Sequence, residues 1–385
     1  MFLNQVIKHN PPLIEYAFKL HQSGQILPDT YVIDMDSLET NAIKILNEAK
    51  KHDIDLYFML KQVGRNPYIA KRLIELGYKG AVVVDYKEAL IMKKNHIPIS
   101  NIGHLVQTPK ALVDEFVEYG VEYFTVFSLD KIIEINNSAK KYNKIQKILL
   151  KVVGPNDIIY SGQTAGFNLD ELSSLIPKVK ELKNILIDGV TSFPCFLYND
   201  KNLKIEKTPN FKTLLEAKKI LEENGIKISN INAPSTTSVI TLKQMNGYDV
   251  NSGEPGHGLT GTTPIHAYQD LDEIPSVVYV SEVSHNFNGL GYCYGGGHYR
   301  RSHVINALVG SKIDTAKKCK VITPNDESID YYFGLDEKCD INSTVIMAFR
   351  FQIFVTRSDV CLVSGLKNNQ PKVVGVYTSQ GELNG

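Results

Sequence analysis

The chain has 385 residues, 43% of them hydrophobic and 22% charged, a globular composition that supports a large core and excludes a disordered chain. Lysine plus arginine equals aspartate plus glutamate at 42 each, so the net charge gives no electrostatic reason for a nucleic acid or a membrane surface as partner. The length exceeds one ordinary core and suits two domains, or a barrel of roughly 250 residues with an appendage.

The first ~25 residues are predicted helical, with Leu13, Ala17 and Leu20 at helical spacing and a stop at Gly24. The run TYVIDMDSL then reads as a short strand leading into a helix over 38–51. From there short β-rich runs alternate with amphipathic helices. The strands fall at 56–60, 80–84, 101–105, 123–127, 148–153, 187–192, 228–232 and 248–252, and the helices at 67–76, 87–95, 111–119, 129–142, 169–182, 211–224 and 239–245. Strand–helix alternation means parallel strands joined by crossovers, and eight strands close a (β/α)8 TIM barrel. The last two strands are the weakest, so an open doubly wound sheet is the alternative. After about Thr263 the pattern changes to SVVYVSEVSHNF, HVINALVGSK, TVIMAFRFQIFVTRSDVCLVSG and KVVGVYTS, β-rich with little helix between. The expected domains are 1–36, a helix and strand joining the β domain; 37–264, the barrel; and 265–385, a mostly β C-terminal domain.

The five cysteines are Cys195, Cys293, Cys319, Cys339 and Cys361, odd in number, widely spaced and without CxxC. They read as reduced thiols of a cytoplasmic protein. No signal peptide is recognised at the start, and no apolar run reaches the ~18 residues of a membrane span.

Ligands of such a barrel bind at the carboxyl ends of its strands. Lys61 follows the first strand in LYFMLKQVGRNP, Ser192 and Phe193 end the sixth, Ser235 follows the seventh in NAPSTTS, and Glu254 follows the eighth in SGEPGHGLTG. A lysine directly after an apolar strand points its amine into the barrel mouth, where desolvation favours the neutral form that makes Schiff bases. A lysine snorkelling from a strand end is the plain alternative. The loops after the seventh and eighth strands are the usual phosphate site of these barrels, and their hydroxyls and backbone N–H groups suit an anion. An amine after the first strand with a phosphate cradle after the last two fits pyridoxal 5′-phosphate (PLP).

The runs VIDMDSLETN, KQVGRNP, GHLVQTP, FPC, NAPS, GEPGHGLTGT, YCYGGGHYRRSH and FRFQIFVTRSDV, spread over nearly the whole chain, resemble the alanine racemase-like, or fold type III, PLP enzymes. Among these the chain looks most similar to the uncharacterised bacterial YhfX-like group, for which the resemblance implies amino-acid racemisation. The motifs are specific for the family and not for the reaction. The resemblance implies a PLP-binding barrel followed by a β domain, in a homodimer that builds its site from the barrel of one subunit and the β domain of the other. It implies that Lys61 holds PLP and moves protons at the substrate Cα. It gives Arg65 the phosphate role of a family tyrosine four residues after the lysine, since arginine is a good phosphate fork. Ser235, Gly256 and His257 match phosphate-contacting positions. Glu254 matches the glutamate that faces the pyridine nitrogen in the ornithine decarboxylase-like branch, where alanine racemases have arginine. A carboxylate there keeps the ring protonated and electron-withdrawing; a buried structural glutamate is the alternative.

The chain also departs from the family. A ring-facing histidine in THF is replaced by Ser192 in TSF, which leaves His104 of GHLVQ as the histidine to reach the mouth. The arginine after the fifth strand is missing from SGQTAGF, which carries Gln163 and Thr164. A racemase needs a base on each face of Cα. Lys61 is one; the other is sought in YCYGGGHYRRSH of the partner subunit, where Cys293 matches an active-site cysteine of the decarboxylase-like branch. A buried inert thiol is the alternative for Cys293, and Tyr292 and Tyr294 read as packing residues. His285, Cys293, His298 and His303 raise a metal reading, but their spacing matches no zinc signature and no metal is expected. The expected activity is amino-acid racemisation; decarboxylation of a small amino acid and PLP binding without turnover are the alternatives.

Overall fold

The computed structural model describes residues 2–384 and divides the chain into two compact units. One comprises Met1–Lys44, Lys61–Asn66 and His257–Gly385; the other comprises Ile45–Leu60 and Pro67–Gly256.

In the second unit eight parallel strands form a ring: Asp55–Leu56, Ala81–Val82, Ile99–Ile102, Tyr123–Val126, Gln146–Val153, Ile185–Thr191, Asn230–Asn232 and Ser252–Gly253. They neighbour one another in chain order, and the eighth pairs with the first. The seam between first and second closes through Phe58, whose N–H donates to Gly80 O at 3.0 Å and whose carbonyl accepts from Val82 N–H at 2.8 Å. The sheet is therefore a (β/α)8 barrel and not an open doubly wound one. Its helices bury one stripe each, such as Ile69, Ala70 and Leu73 in Pro67–Leu76, or Ile132, Ile135 and Ala139 in Leu129–Lys141. Asp85 and Ser128 cap their helices by accepting from the N–H groups of Glu88 and Lys131. Tyr57, Val82, Tyr123 and Leu149 pack together inside the ring. Toward its carboxyl end the interior turns polar: Thr191 Oγ1 donates to Asn232 Oδ1 at 2.8 Å, and Ser252 Oγ donates to Asn230 Oδ1 at 2.6 Å.

The first unit is built on a nine-stranded sheet. Val277–Phe287 is long enough to pair with Thr30–Asp34 and Thr344–Met347 along its first half and with Leu290–Tyr294 along its second. That double pairing closes six strands into a small barrel, the others being Asn306–Gly310, Lys317–Ile322 and Tyr332–Leu335. Thr30–Asp34 then pairs in parallel with Asp359–Ser364, which pairs with Lys372–Thr378. Helices Phe2–His9 and Pro11–Gln22 cover this sheet, with Val6, Leu13, Ala17 and Phe18 packed on Val32, Val278, Ile346 and Cys361.

The differences from the sequence reading have local causes. The expected N-terminal helix is two helices, because Pro11 has no N–H to continue the first. A hairpin, Phe196–Asn199 with Lys204–Lys207, interrupts the crossover after the sixth barrel strand. The long run from Thr344 is two strands separated by a 3-10 turn at Ile353–Val355. Strands Lys317–Ile322 and Tyr332–Leu335 leave little trace in the sequence because their exposed positions are mostly lysine and tyrosine. No helix among the described residues is long and apolar enough to cross a membrane.

Candidate active site

In the barrel unit the first and eighth strands run on past their ladder. Tyr57 N–H donates to Gly253 O at 3.1 Å and Met59 N–H donates to Pro255 O at 3.0 Å. Glu254 thus sits at the carboxyl end of the eighth strand, 5% exposed. Asn101 Nδ2 donates to its Oε1 at 3.5 Å, and His104 Nε2 lies 3.9 Å from its Oε2. Thr125 Oγ1 donates to Asn101 Oδ1 at 2.7 Å, which turns the amide donor toward the carboxylate. The Glu254 N–H donates to Thr237 Oγ1 at 3.1 Å and so ties the eighth strand end to the loop after the seventh. In that loop Ser235 and Thr236 hold φ of +94° and +48°, a conformation few L residues adopt and one typical of ligand clamps.

His104 is 1% exposed and packs edge-on against Phe193 at 5.5 Å, with Tyr160 on Phe193 at 5.8 Å. Ser192 is fully buried, and its hydroxyl donates to Val152 O at 3.0 Å, away from any role on a ligand ring. The carboxamide oxygen of Gln163, in the stretch lacking the family arginine, is buried without a hydrogen-bond partner.

In the other unit Lys61 opens a 3-10 turn, Lys61–Val63. The turn is clamped from the chain's end. Arg65, 3% exposed with φ of +55°, donates from Nη1 to Gln380 Oε1 at 2.7 Å and lies 5.0 Å over the Phe354 ring. Gln380 Nε2 closes the circuit on Phe354 O at 2.7 Å. At Gly64, φ +70°, a Cβ would press on Ile353, Val360 and Ser379 O at 3.2 Å each, so only glycine fits. Arg65 therefore spends at least one fork on Gln380, where a phosphate ligand was expected.

His257 opens the segment that follows Gly256. Burial first, then the positive charges of Arg350 and Lys61, hold its imidazole well below the ordinary histidine range. Neutral, it pairs Nδ1 with Thr262 Oγ1 at 2.9 Å and Nε2 with Gln352 Nε2 at 3.3 Å. With the amide nitrogen on that side, the amide donates and Nδ1 is the nitrogen that carries the proton.

Cys293 does not present its thiol. It lies on Leu290–Tyr294 with 0% exposure, and burial pushes the thiol up to about 12, which removes the thiolate a base or nucleophile needs. Alternation along the strand instead turns Tyr294 outward, 37% exposed, while Tyr292 stacks on His285 at 5.0 Å. Among the described residues no three His, Cys, Asp or Glu side chains converge as a metal site. Asn101 and Gln380 lie in no quoted run, and Gln352 lies in FRFQIFVTRSDV without a feature that singles it out. The sequence reading missed Lys151, whose signal was visible as a lone lysine inside the apolar strand ILLKVV.

The alanine racemase N-terminal domain matches residues 33–264, and the YhfX-like C-terminal domain matches residues 278–373. The uncharacterised protein YhfX of Escherichia coli K12 is 43% identical over 382 residues, 99% of each chain. Among solved structures, alanine racemase of Clostridium difficile 630 in complex with cycloserine superposes with a TM-score of 0.63 at 17% identity, over 92% of this chain and 99% of its own. Diaminopimelate decarboxylase of M. jannaschii with L-lysine gives 0.66 at 16% identity, over 95% and 93%. D-threonine aldolase of Filomicrobium marinum gives 0.67 at 13%, over 91% and 95%. At these identities the structures share a fold, and that fold hosts racemases, decarboxylases and aldolases alike.

Proposed function

We propose a function from one premise: this chain belongs to the alanine racemase N-terminal domain family, and within it to the YhfX-like group. The reading is a PLP-dependent racemase of a small amino acid, acting as a homodimer. PLP, when bound, supplies an electron sink for a bond broken at Cα.

The residues fit that cofactor chemically. Lys61 offers the amine that would hold its aldehyde carbon. The Glu254 carboxylate, ringed by an amide and an imidazole, offers an acceptor for a protonated ring nitrogen. Ser235, with the backbone of Gly256 and His257, offers donors for a phosphate. The observation that carries the reading is the Met59 to Pro255 hydrogen bond: the strand that leads into Lys61 and the segment that carries Glu254 run side by side.

Each residue then has a task. Glu254, as a carboxylate, would favour a proton on the ring nitrogen of a bound cofactor. Lys61 takes or returns the Cα proton on one face. A second donor must act on the opposite face. In the β unit Tyr294 is exposed where Cys293 is buried, and we assign the second donor to the Tyr294 of the second copy in the dimer. Lys61→Ala is expected to abolish Cα–H exchange in deuterated water across a panel of D- and L-amino acids; retained exchange would sink the reading.

Glu254 also favours a second reading, decarboxylation, because a carboxylate at this position strengthens the sink for either bond. Carbon dioxide release from the same panel separates the two. PLP binding without turnover would show as a yellow protein, labelled at Lys61 by borohydride, that exchanges no Cα–H.

A further inference from the structure

Lys151 lies on the fifth barrel strand, Gln146–Val153, and is 3% exposed. Leu149, two residues earlier, packs inside the ring with Tyr57, Val82 and Tyr123, so strand alternation turns Lys151 to the same interior face, nearer the carboxyl end. Its register partner on the sixth strand is Thr191, in the polar layer with Asn232. Its amine lies 5.6 Å from the centre of the Phe127 ring, and among the described residues no carboxylate pairs with it.

The charged groups around it are committed elsewhere. On its own strand Lys147 pairs with Asp188 at 3.0 Å, at the other end of the ring. Tyr123, from the fourth strand, donates to the same Asp188 at 3.0 Å. Asp157, on the loop after the fifth strand, accepts from Gly154 N–H and Thr213 Oγ1, both at 2.8 Å. Glu254 and His104 face each other. Burial is accordingly the one influence on the Lys151 amine, which it pulls down to about 8.

We propose that Lys151 binds the carboxylate of the amino-acid substrate, taking the place of the arginine that SGQTAGF lacks. With its midpoint pulled down to about 8, the buried amine is half-discharged at that pH, and an arriving anion favours its charged form because the opposite charge offsets the desolvation of the ammonium. The chain thus keeps a cation in reserve at the end of the barrel where ligands bind. The polar layer beside it supplies the hydroxyls of Thr191 and Ser252 and the amides of Asn230 and Asn232.

The inference rests on the racemase reading only for the kind of ligand, so the test is made on the purified protein and scored apart from the cofactor. Trace acetylation of amines across a pH series, read by peptide mass, gives the titration midpoint of Lys151. Without anions the midpoint is expected near 8. Saturating acetate or alanine should raise it by about one unit, whereas alaninamide, which lacks the carboxylate, should leave it in place. A midpoint unmoved by acetate and alanine, one already in the ordinary lysine range, or one moved only by inorganic phosphate overturns the proposal. So does borohydride attachment of PLP at Lys151. As a second variant, Lys151→Met keeps the length of the side chain and removes its desolvation, so the protein should melt no lower than the parent. It should bind alanine more than about tenfold more weakly with alaninamide binding unchanged; equal alanine binding refutes the assignment. A colourless protein whose Lys151 still responds to acetate would retain the anion site and discard the PLP reading.

Discussion

Replacing Arg65 by methionine separates two roles for the same guanidinium. If Arg65 is chiefly a clamp on the lysine turn, its loss is felt with no cofactor present. The Nη1 to Gln380 bond at 2.7 Å is charge-assisted and buried, worth about 1.5–3 kcal/mol. The guanidinium over Phe354 at 5.0 Å adds about 1–2 kcal/mol in a desolvated setting. Methionine restores part of the packing, about 1 kcal/mol, since its unbranched thioether fills irregular gaps. The net cost is about 2–4 kcal/mol, on the β unit that holds both partners. Urea unfolding of the PLP-free protein, followed by tyrosine fluorescence, measures it: the midpoint should fall with the slope unchanged. Phosphate or PLP affinity, titrated on the folded variant, should fall less than tenfold. An unchanged midpoint with affinity lost by a hundredfold or more would refute the clamp and return Arg65 to the phosphate.

Glu254→Gln should slow Cα–H exchange by about ten- to a thousandfold, the effect of one to three pKa units on a ring nitrogen that loses its carboxylate; an unchanged rate would show that Glu254 is structural. Cys293→Ala should keep full exchange and cost about 1–2 kcal/mol through the small cavity it leaves, whereas Tyr294→Phe should cut racemisation at least about a hundredfold while exchange on one face persists. The opposite pattern would reinstate the thiol. Burial pushes the Asp29 carboxyl up to about 6, against the hydroxyls of Ser358 and Tyr279 that bond it. The folded chain then holds that proton more tightly than the unfolded one. Its contribution is present at low pH and is lost as pH rises from about 4 to 6, by at most about 3 kcal/mol. Asp29→Asn should flatten the stability profile over that range in urea titrations; an unaltered profile would place the titration elsewhere.

The barrel was legible because its first six strands lie in short β-rich runs followed by helical stretches, a pattern that survives without any tertiary information, whereas the seventh and eighth, Asn230–Asn232 and Ser252–Gly253, are short and polar. Lys61, Glu254 and Ser235 were legible for a related reason: each stands at the carboxyl end of a predicted strand. The clamp was not, because Arg65 and Gln380 are 315 positions apart and neither sits in a periodic segment. Cys293 shows the limit of a motif. Its run fixes which residues occupy the strand, but which of them face the core depends on the pairing with Val277–Phe287 and Tyr332–Leu335, on either side of it. Lys151 was visible as a charged residue in an apolar strand, yet nothing in the run itself says whether its amine meets a carboxylate.

The strand Thr30–Asp34 has consequences for the order in which the molecule is made. It is made well before its sheet neighbours, Val277–Phe287 and Asp359–Ser364, which come some 250 and 330 positions later. Residues 67–256 can close into a ring while synthesis continues, because all their pairings are with one another or with 45–60. The β unit has to wait, since long-range pairing cannot repay loop closure until both partners exist. The Lys61 turn waits with it, for Gln380, which clamps Arg65, is made 315 positions after it. A chain that has not yet reached Gln380 can therefore hold a finished ring while its Lys61 turn is still unclamped.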